Sequence, residues 1–144
     1  MPRVASSIVI DRPVAEVFAY LGDWTHATEF TESLVSWRPL SDVKDAVGAQ
    51  FAAAMRIGPT TQKSTVEIVR REAGAEIAWE SRAGFQQRGS YRFEPAGSGT
   101  RVDFVMEVTL PGGPAGRLLG RIVEPFARDN TAKTLDNLKR ILER

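Results

Sequence analysis

The chain has 144 residues, a formal net charge of +1 from 19 basic and 18 acidic side chains, one histidine and no cysteine. This length suits one domain over residues 1–144, which can bury roughly 70% of its unfolded surface without a disulfide or a metal. The composition excludes disulfides and thiolate metal sites, gives no reason to expect nucleic acid as a partner, and contains neither a membrane-spanning apolar run nor a signal peptide. We therefore expect a cytoplasmic protein, monomeric or homodimeric, without stable membrane insertion.

The N-terminal part of the sequence predicts one strand followed by two short helices. Residues 4–10 alternate weakly between apolar and other side chains, which is typical of a strand. Pro13 supplies a helical φ, and apolar residues recur at helical spacing as far as residue 21, so an amphipathic helix is predicted over 13–21. Gly22 ends this helix, and Asp23 can cap a second short helix from 24 to about 32.

From residue 34 to residue 110 the apolar period switches to two, which predicts six further strands. Glycine, proline and aspartate separate them, as expected of tight turns. Alternation of this kind gives each strand one solvent-exposed face and one buried face. This pattern is typical of antiparallel sheets and predicts an antiparallel meander. The predicted strands are 34–40, 49–57, 62–71, 76–82, 85–94 and 100–110.

The last predicted element is a long helix from about residue 115 to residue 142, with Pro125 near its middle. A proline inside a helix costs about 3 kcal/mol, because it removes one backbone donor and pushes against the preceding turn. A bend at Pro125 would let the helix follow a curled sheet. Its first half, residues 118–124, is then either a moving lid over an enclosed volume or a segment held by a static bend.

Three segments resemble a known superfamily. They are the opening IVIDRPVAEVFAYLGDW, the hairpin YRFEPAGSGTRVDFVMEVTLPG and the closing NTAKTLDNLKRILE. Each is similar to the corresponding part of the START-like (SRPBCC) superfamily, the polyketide cyclase/dehydrase and lipid-transport group that includes the birch pollen allergen fold. The resemblance implies an α+β helix-grip fold, with a seven-stranded curled antiparallel sheet wrapped round a long C-terminal helix and two short helices between the first two strands. It also implies a cavity between sheet and helix.

The inner face of such a sheet is predicted from strand parity, and it is strongly apolar. Small and polar residues share that parity, so we expect a mostly apolar cavity of ~300–1,000 Å³ with a few hydrogen-bonding groups. Gln87, Tyr91 and Ser64 are expected to orient a ligand there. Leu118 is also expected on the inner stripe of the long helix. The predicted ligand-binding residues are Trp37, Phe51, Met55, Ser64, Ile68, Trp79, Gln87, Tyr91, Phe93, Phe104, Met106, Leu119, Ile122 and Phe126.

Few residues offer chemistry beyond binding. With one histidine and no cysteine, no metal site and no cofactor is expected. The leading hypothesis is therefore a protein that binds a small hydrophobic molecule: a lipid, a polyketide-like aromatic or an isoprenoid.

Two alternatives stay open. The first is a metal-independent enzyme, a cyclase or dehydratase of the polyketide type, in which Tyr91, His26 or Asp129 would move protons. The second is a protein-interaction module that uses a sheet edge or the helix lid, for which we expect a filled interior and a large exposed apolar patch.

Overall fold

A computed structural model describes residues 3–144 and contains every predicted element, each within two residues of its expected boundaries. The second short helix begins as a single 3₁₀ turn at Trp24–His26, and the Asp23 carboxylate accepts a hydrogen bond from the Thr25 backbone N–H, as its capping role predicts. The other elements are β1 (Arg3–Ile10), α1 (Val14–Leu21), α2 (Ala27–Phe30), β2 (Leu34–Pro39), β3 (Gln50–Ile57), β4 (Thr60–Glu72), β5 (Glu76–Gly84), β6 (Gln87–Ala96), β7 (Gly99–Val108) and α3 (Gly113–Leu142).

The strands form one antiparallel sheet in the order β1-β7-β6-β5-β4-β3-β2. Strands β2 to β7 follow the chain as a meander, and β1 pairs with β7 at the far edge. Helix α3 contacts β1 and β7 near one edge of the sheet and β3 near the opposite edge. The sheet therefore curls round the helix. The predicted helix-grip fold is confirmed. No helix within residues 3–144 is long and apolar enough to cross a membrane.

Three register shifts interrupt the strand pairing, and two of them decide the facing of Leu34 and Arg71. The register of β2 against β3 shifts between Leu34 and Ser36, so that Leu34 is buried on the inner face together with Trp37. A second shift lies between Ile68 and Arg70 on β4 and leaves Arg71 opposite Ile77 of β5. Strict alternation from Ile68 would have placed Arg71 on the outer face. An extra residue in one strand reverses the facing of every residue that follows it.

The inner face of α3 differs from the predicted stripe. Leu118 is 63% exposed, so its expected place inside is wrong, while Leu119, Ile122 and Phe126 pack only partly buried at the margin of the core. The buried stripe is made largely of small and polar residues, which let the helix approach the sheet closely. Its members are Gly116, Val123, Ala127, Asn130, Thr131, Thr134, Leu135, Asn137 and Leu138.

Pro125 lies on the exposed side of α3, and the helix continues through it. The backbone donor that it removes therefore faces solvent, where water can hydrogen-bond the carbonyl left over from the preceding turn. A lid motion of residues 118–124 stays a prediction.

Candidate ligand-binding pocket

A pocket of about 120 Å³ lies between the inner face of the sheet and the segment that contains α1 and α2. It is smaller than the ~300–1,000 Å³ expected from the sequence, because bulky aromatic side chains project into the interior. Helix α3 contributes only Asn130 to its lining. Apolar cavities of roughly 150 Å³ hold one benzene ring, so the space suits a molecule with a single ring.

Two groups of aromatic side chains line the pocket. In the first, Phe51 of β3 stacks on Trp37 of β2 with ring centroids 4.5 Å apart. The ring centroid of Trp24 lies 6.3 Å from that of Phe51. In the second, Tyr91 of β6 stacks on Phe104 of β7 at 4.4 Å, and Trp79 of β5 lies 5.4 Å from Tyr91 and 6.1 Å from Phe104. Because all six rings line the pocket, they offer flat, polarisable surfaces to an aromatic guest.

Several polar groups lie among these rings. Trp37 has a buried Nε1–H with no hydrogen-bond partner among residues 3–144. The Gln87 backbone N–H donates to Ser81 Oγ at 3.1 Å, but no group within the described part of the chain hydrogen-bonds the Gln87 side-chain amide. Asn130 accepts a hydrogen bond from the Ser33 hydroxyl at 2.6 Å and donates to the Met106 sulfur at 3.8 Å. A buried donor without a partner costs about 1–3 kcal/mol, so the Trp37 Nε1–H gains from a ligand that can accept a hydrogen bond. The Gln87 amide adds a further donor and acceptor to the pocket wall.

The mouth of the pocket is cationic. Gly22, Trp24, Lys44 and Arg71 line both the pocket and the groove outside it, so they form the opening between the two. Glycine at position 22 leaves room for the Arg71 guanidinium, whose nitrogens lie 3.0 Å from where a Cβ would stand. The pocket therefore joins an apolar interior to a charged entrance.

The predicted ligand-binding residues separate into two groups. The first group lies together around the pocket: Trp37, Phe51, Met55, Ile68, Trp79, Gln87, Tyr91, Phe104 and Met106. The second group lies elsewhere: Ser64, Phe93, Leu119, Ile122 and Phe126. Ser64 is buried beside Gly84, its partner on β5, and Phe93 packs edge-on against Phe18 of α1.

The three candidates for proton transfer are also separated. Tyr91 lines the pocket and is 6% exposed. His26 lies outside it; its ring stacks on Tyr20 at 4.1 Å, and its Nδ1 lies 2.9 Å from the Tyr20 carbonyl oxygen, which can only accept. Asp129 is on the solvent side of α3, paired with Lys133 at 3.2 Å. These positions leave Tyr91 as the one member of this trio that can touch a bound molecule.

Sequence reasoning missed the contribution of the short helices and the bulges to this site. Trp24 and Phe30 are absent from the predicted ligand-binding residues, whereas both line the pocket. Arg71 and Leu34 were missed because a bulge leaves no mark in an apolar-alternation pattern.

The tyrosine phenols give the first testable prediction. Burial, followed by the Glu29 carboxylate, raises the pKa of Tyr20 to about 12, and burial raises the pKa of Tyr91 despite a hydrogen bond with Thr31. Neither phenol should therefore ionise near pH 10.0, the ordinary pKa, while the chain is folded. Because both pKa values are raised in the fold, the stability they contribute is present below pH 10 and lost as the pH rises through about 12.

The measurement is an ultraviolet titration of phenolate absorbance, made with and without denaturant. The sequence contains two tyrosines, so each accounts for half of the signal. Unfolded protein should titrate near the ordinary value and native protein well above it. Half of the phenolate absorbance appearing near pH 10 in the native protein would contradict the shielding of one phenol, and all of it would contradict the shielding of both.

The fold and this pocket define a class: helix-grip proteins whose curled sheet and helices surround an apolar interior. The chain belongs to the family described as polyketide cyclase/dehydrase and lipid transport, whose model matches residues 1–143. The resemblance to the START-like superfamily is thereby confirmed. No curated protein matches the chain.

Solved structures share the fold at low sequence identity. A protein of Thermus thermophilus is 18% identical with a TM-score of 0.83, over 96% of this chain and 95% of that one. A START superfamily protein of Mycobacterium smegmatis is 14% identical with a TM-score of 0.78, over 98% and 97% of the two chains. The major latex-like protein 151 of Panax ginseng is 14% identical with a TM-score of 0.70, over 97% and 96%.

Proposed function

We propose that this protein binds a small apolar or aromatic molecule, about the size of one ring, in the pocket between the sheet and the short helices. The observation that carries the proposal is the set of seven aromatic rings around a space of about 120 Å³. The family description, which includes lipid transport, agrees with binding of this kind. A single ring needs little more than the observed volume, whereas a longer lipid or isoprenoid chain requires the pocket to widen much further.

Affinity would come from apolar burial, at about 25 cal/mol per Å² of area removed from water, before the cost of ordering the ligand. Orientation would come from the polar groups. The unpaired Trp37 Nε1–H can donate to a ligand oxygen, and the Gln87 amide can both donate and accept. The favoured ligand is therefore a flat molecule with at least one hydrogen-bond acceptor.

An enzyme of the cyclase or dehydratase type is a second candidate, and one observation favours it. Tyr91 is a phenol buried in the pocket wall, where its hydroxyl lies on the element that lines the binding space. A protonated phenol can donate a hydrogen bond or a proton to an oxygen of a reacting chain. In such an enzyme Tyr91 would be the proton donor, and the pocket would hold the chain in a folded shape.

The test uses the tryptophans as reporters. All three tryptophans of the sequence, Trp24, Trp37 and Trp79, line the pocket. Titration with benzamide, a neutral one-ring amide, should shift their indole N–H signals in a ¹⁵N-resolved NMR spectrum. The Trp37 signal should shift most, because its N–H gains a hydrogen bond.

Succinamide, a polar molecule without a ring, serves as the matched control and should leave these signals in place. If benzamide moves none of the three indole signals, or moves only signals of exposed residues, binding of a neutral one-ring molecule in this pocket is refuted.

A further inference from the structure

Arg71 differs from every other arginine in residues 3–144. It is the only one that is partly shielded from solvent and makes no ion pair. Arg12 is also partly shielded, but it pairs with Glu16. A guanidinium removed from water without a counter-charge is unfavourable, so an anion arriving at Arg71 would be stabilised.

The fold holds the Arg71 head group in place. The bulge in β4 turns the side chain to the inner face, where Nη1 donates to the Gly22 carbonyl at 3.0 Å. The guanidinium also lies over the Phe18 ring, 5.2 Å from its centroid. A guanidinium has five N–H donors, so one bond to Gly22 leaves several for a ligand. Fixing the group before binding lowers the entropy cost of a new contact.

The charges around the pocket favour an anion at this position. Lys44 lines the mouth beside Arg71 and makes no ion pair within the described residues. The lining of the pocket contains no carboxylate. Asp23, Asp42 and Asp45 border only the groove outside, and Asp23 is held by hydrogen bonds from Thr25. None of these outer carboxylates forms an ion pair with Arg71 or Lys44, so both cations are available for direct contact with an anion inside the mouth.

We propose that the ligand is a one-ring aromatic carboxylate whose ring lies among the aromatic residues and whose carboxylate binds Arg71, with Lys44 beside it. The planar guanidinium matches a carboxylate with two parallel hydrogen bonds, and the pocket volume limits the apolar part to about one ring. This proposal rests on the proposed function and adds to it the charge and the chemical class of the ligand.

The experiment compares acids with their amides. Benzoate, phenylacetate and 3-phenylpropanoate place the carboxylate at increasing distance from the ring, and the matching amides remove the charge at almost constant size. Dissociation constants from the NMR titration should favour the best acid over its amide by at least about tenfold, as expected for a charge-assisted hydrogen bond. The chain length that binds best reports the distance from the aromatic residues to Arg71.

Three variants test which side chains cause the preference for the acid over its amide. Arg71→Gln should weaken the acid by about tenfold or more and leave the amide nearly unchanged, and Lys44→Gln, an exposed position, should weaken the acid by a few-fold without a risk to folding. Arg56→Gln, an exposed arginine without an ion pair, makes the same charge change away from the pocket and should have no effect.

The outcomes separate the two proposals. Equal affinity for acid and amide in the unmodified protein, or an acid preference that survives both Arg71→Gln and Lys44→Gln, overturns the carboxylate proposal and leaves the proposed function intact. If neither acid nor amide binds, both proposals fail.

Discussion

Replacing Phe51 by alanine is expected to lower the free energy of unfolding by about 3–5 kcal/mol, the usual cost of deleting a buried phenyl ring. Phe51 is 1% exposed and stacks on Trp37 with centroids 4.5 Å apart. Its removal takes away the ring that joins Trp24 to Trp37 and leaves a void beside the pocket. The same change that destabilises the fold should therefore enlarge the binding space.

Urea unfolding followed by circular dichroism measures the loss of stability, and titration with 2-naphthamide, a two-ring amide, measures the enlargement. The variant should bind the two-ring amide better than the unmodified protein does. Phe85→Ala is the matched control, because Phe85 is only partly buried and does not line the pocket. A loss below about 1 kcal/mol for Phe51→Ala, or a loss equal to that of the control, would contradict the central packing role of this ring.

The fold was predictable because its signals are local and repeated. Alternation along β7, with Val102, Phe104 and Met106 buried and Arg101 and Asp103 on the other face, fixes both the strand and its facing. Each strand pairs with a neighbouring strand that shows the same alternation of buried residues. A wrong assignment at a single position therefore does not alter the predicted topology. The antiparallel meander of β3 to β7 then follows from the short turns that separate these strands.

The site was only partly predictable, because it depends on features without a repeat. A bulge reverses the facing of a residue such as Arg71 and depends on how two strands pair, not on either sequence alone. The predicted buried face of α3 included large apolar residues such as Leu118, because the prediction ranked residues by hydrophobicity. The structure buries the smaller Ala127 and Thr134 instead. Close approach of a helix to a sheet selects small residues instead, and one sequence does not reveal that distance.

The volume of the pocket was overestimated for a similar reason. Small residues on the inner face, such as Ala53 and Gly89, were taken to leave space. The structure places the Trp79 ring over Gly89, its partner on the neighbouring strand, and so fills the space that the glycine leaves. A cross-strand aromatic ring above a glycine is a pairwise feature, and parity within one strand does not show it.

Gly89→Ala should accordingly close the pocket from the sheet side. A Cβ at position 89 would lie 2.5 Å from Trp79 Cζ2 and 2.9 Å from the Val105 carbonyl oxygen. The oxygen belongs to the backbone of β7 and shifts only at the cost of the ladder around it, and the indole already lies against Tyr91 and Phe104. The ring must therefore move away from the sheet and into the pocket, at a cost in stability of about 1–3 kcal/mol typical of overpacking.

We expect benzamide to bind this variant at least about tenfold more weakly, because a ring displaced into about 120 Å³ leaves no room for a second one. The Trp79 indole signal should also shift before any ligand is added, which separates a displaced ring from a general loss of folding. Ser90→Ala, the next residue of β6 and paired with Ala78 and Val105, is the control and should bind normally. Normal binding by Gly89→Ala, with an unchanged Trp79 signal, would show that the indole does not lie over Gly89 and that this side of the pocket is built differently.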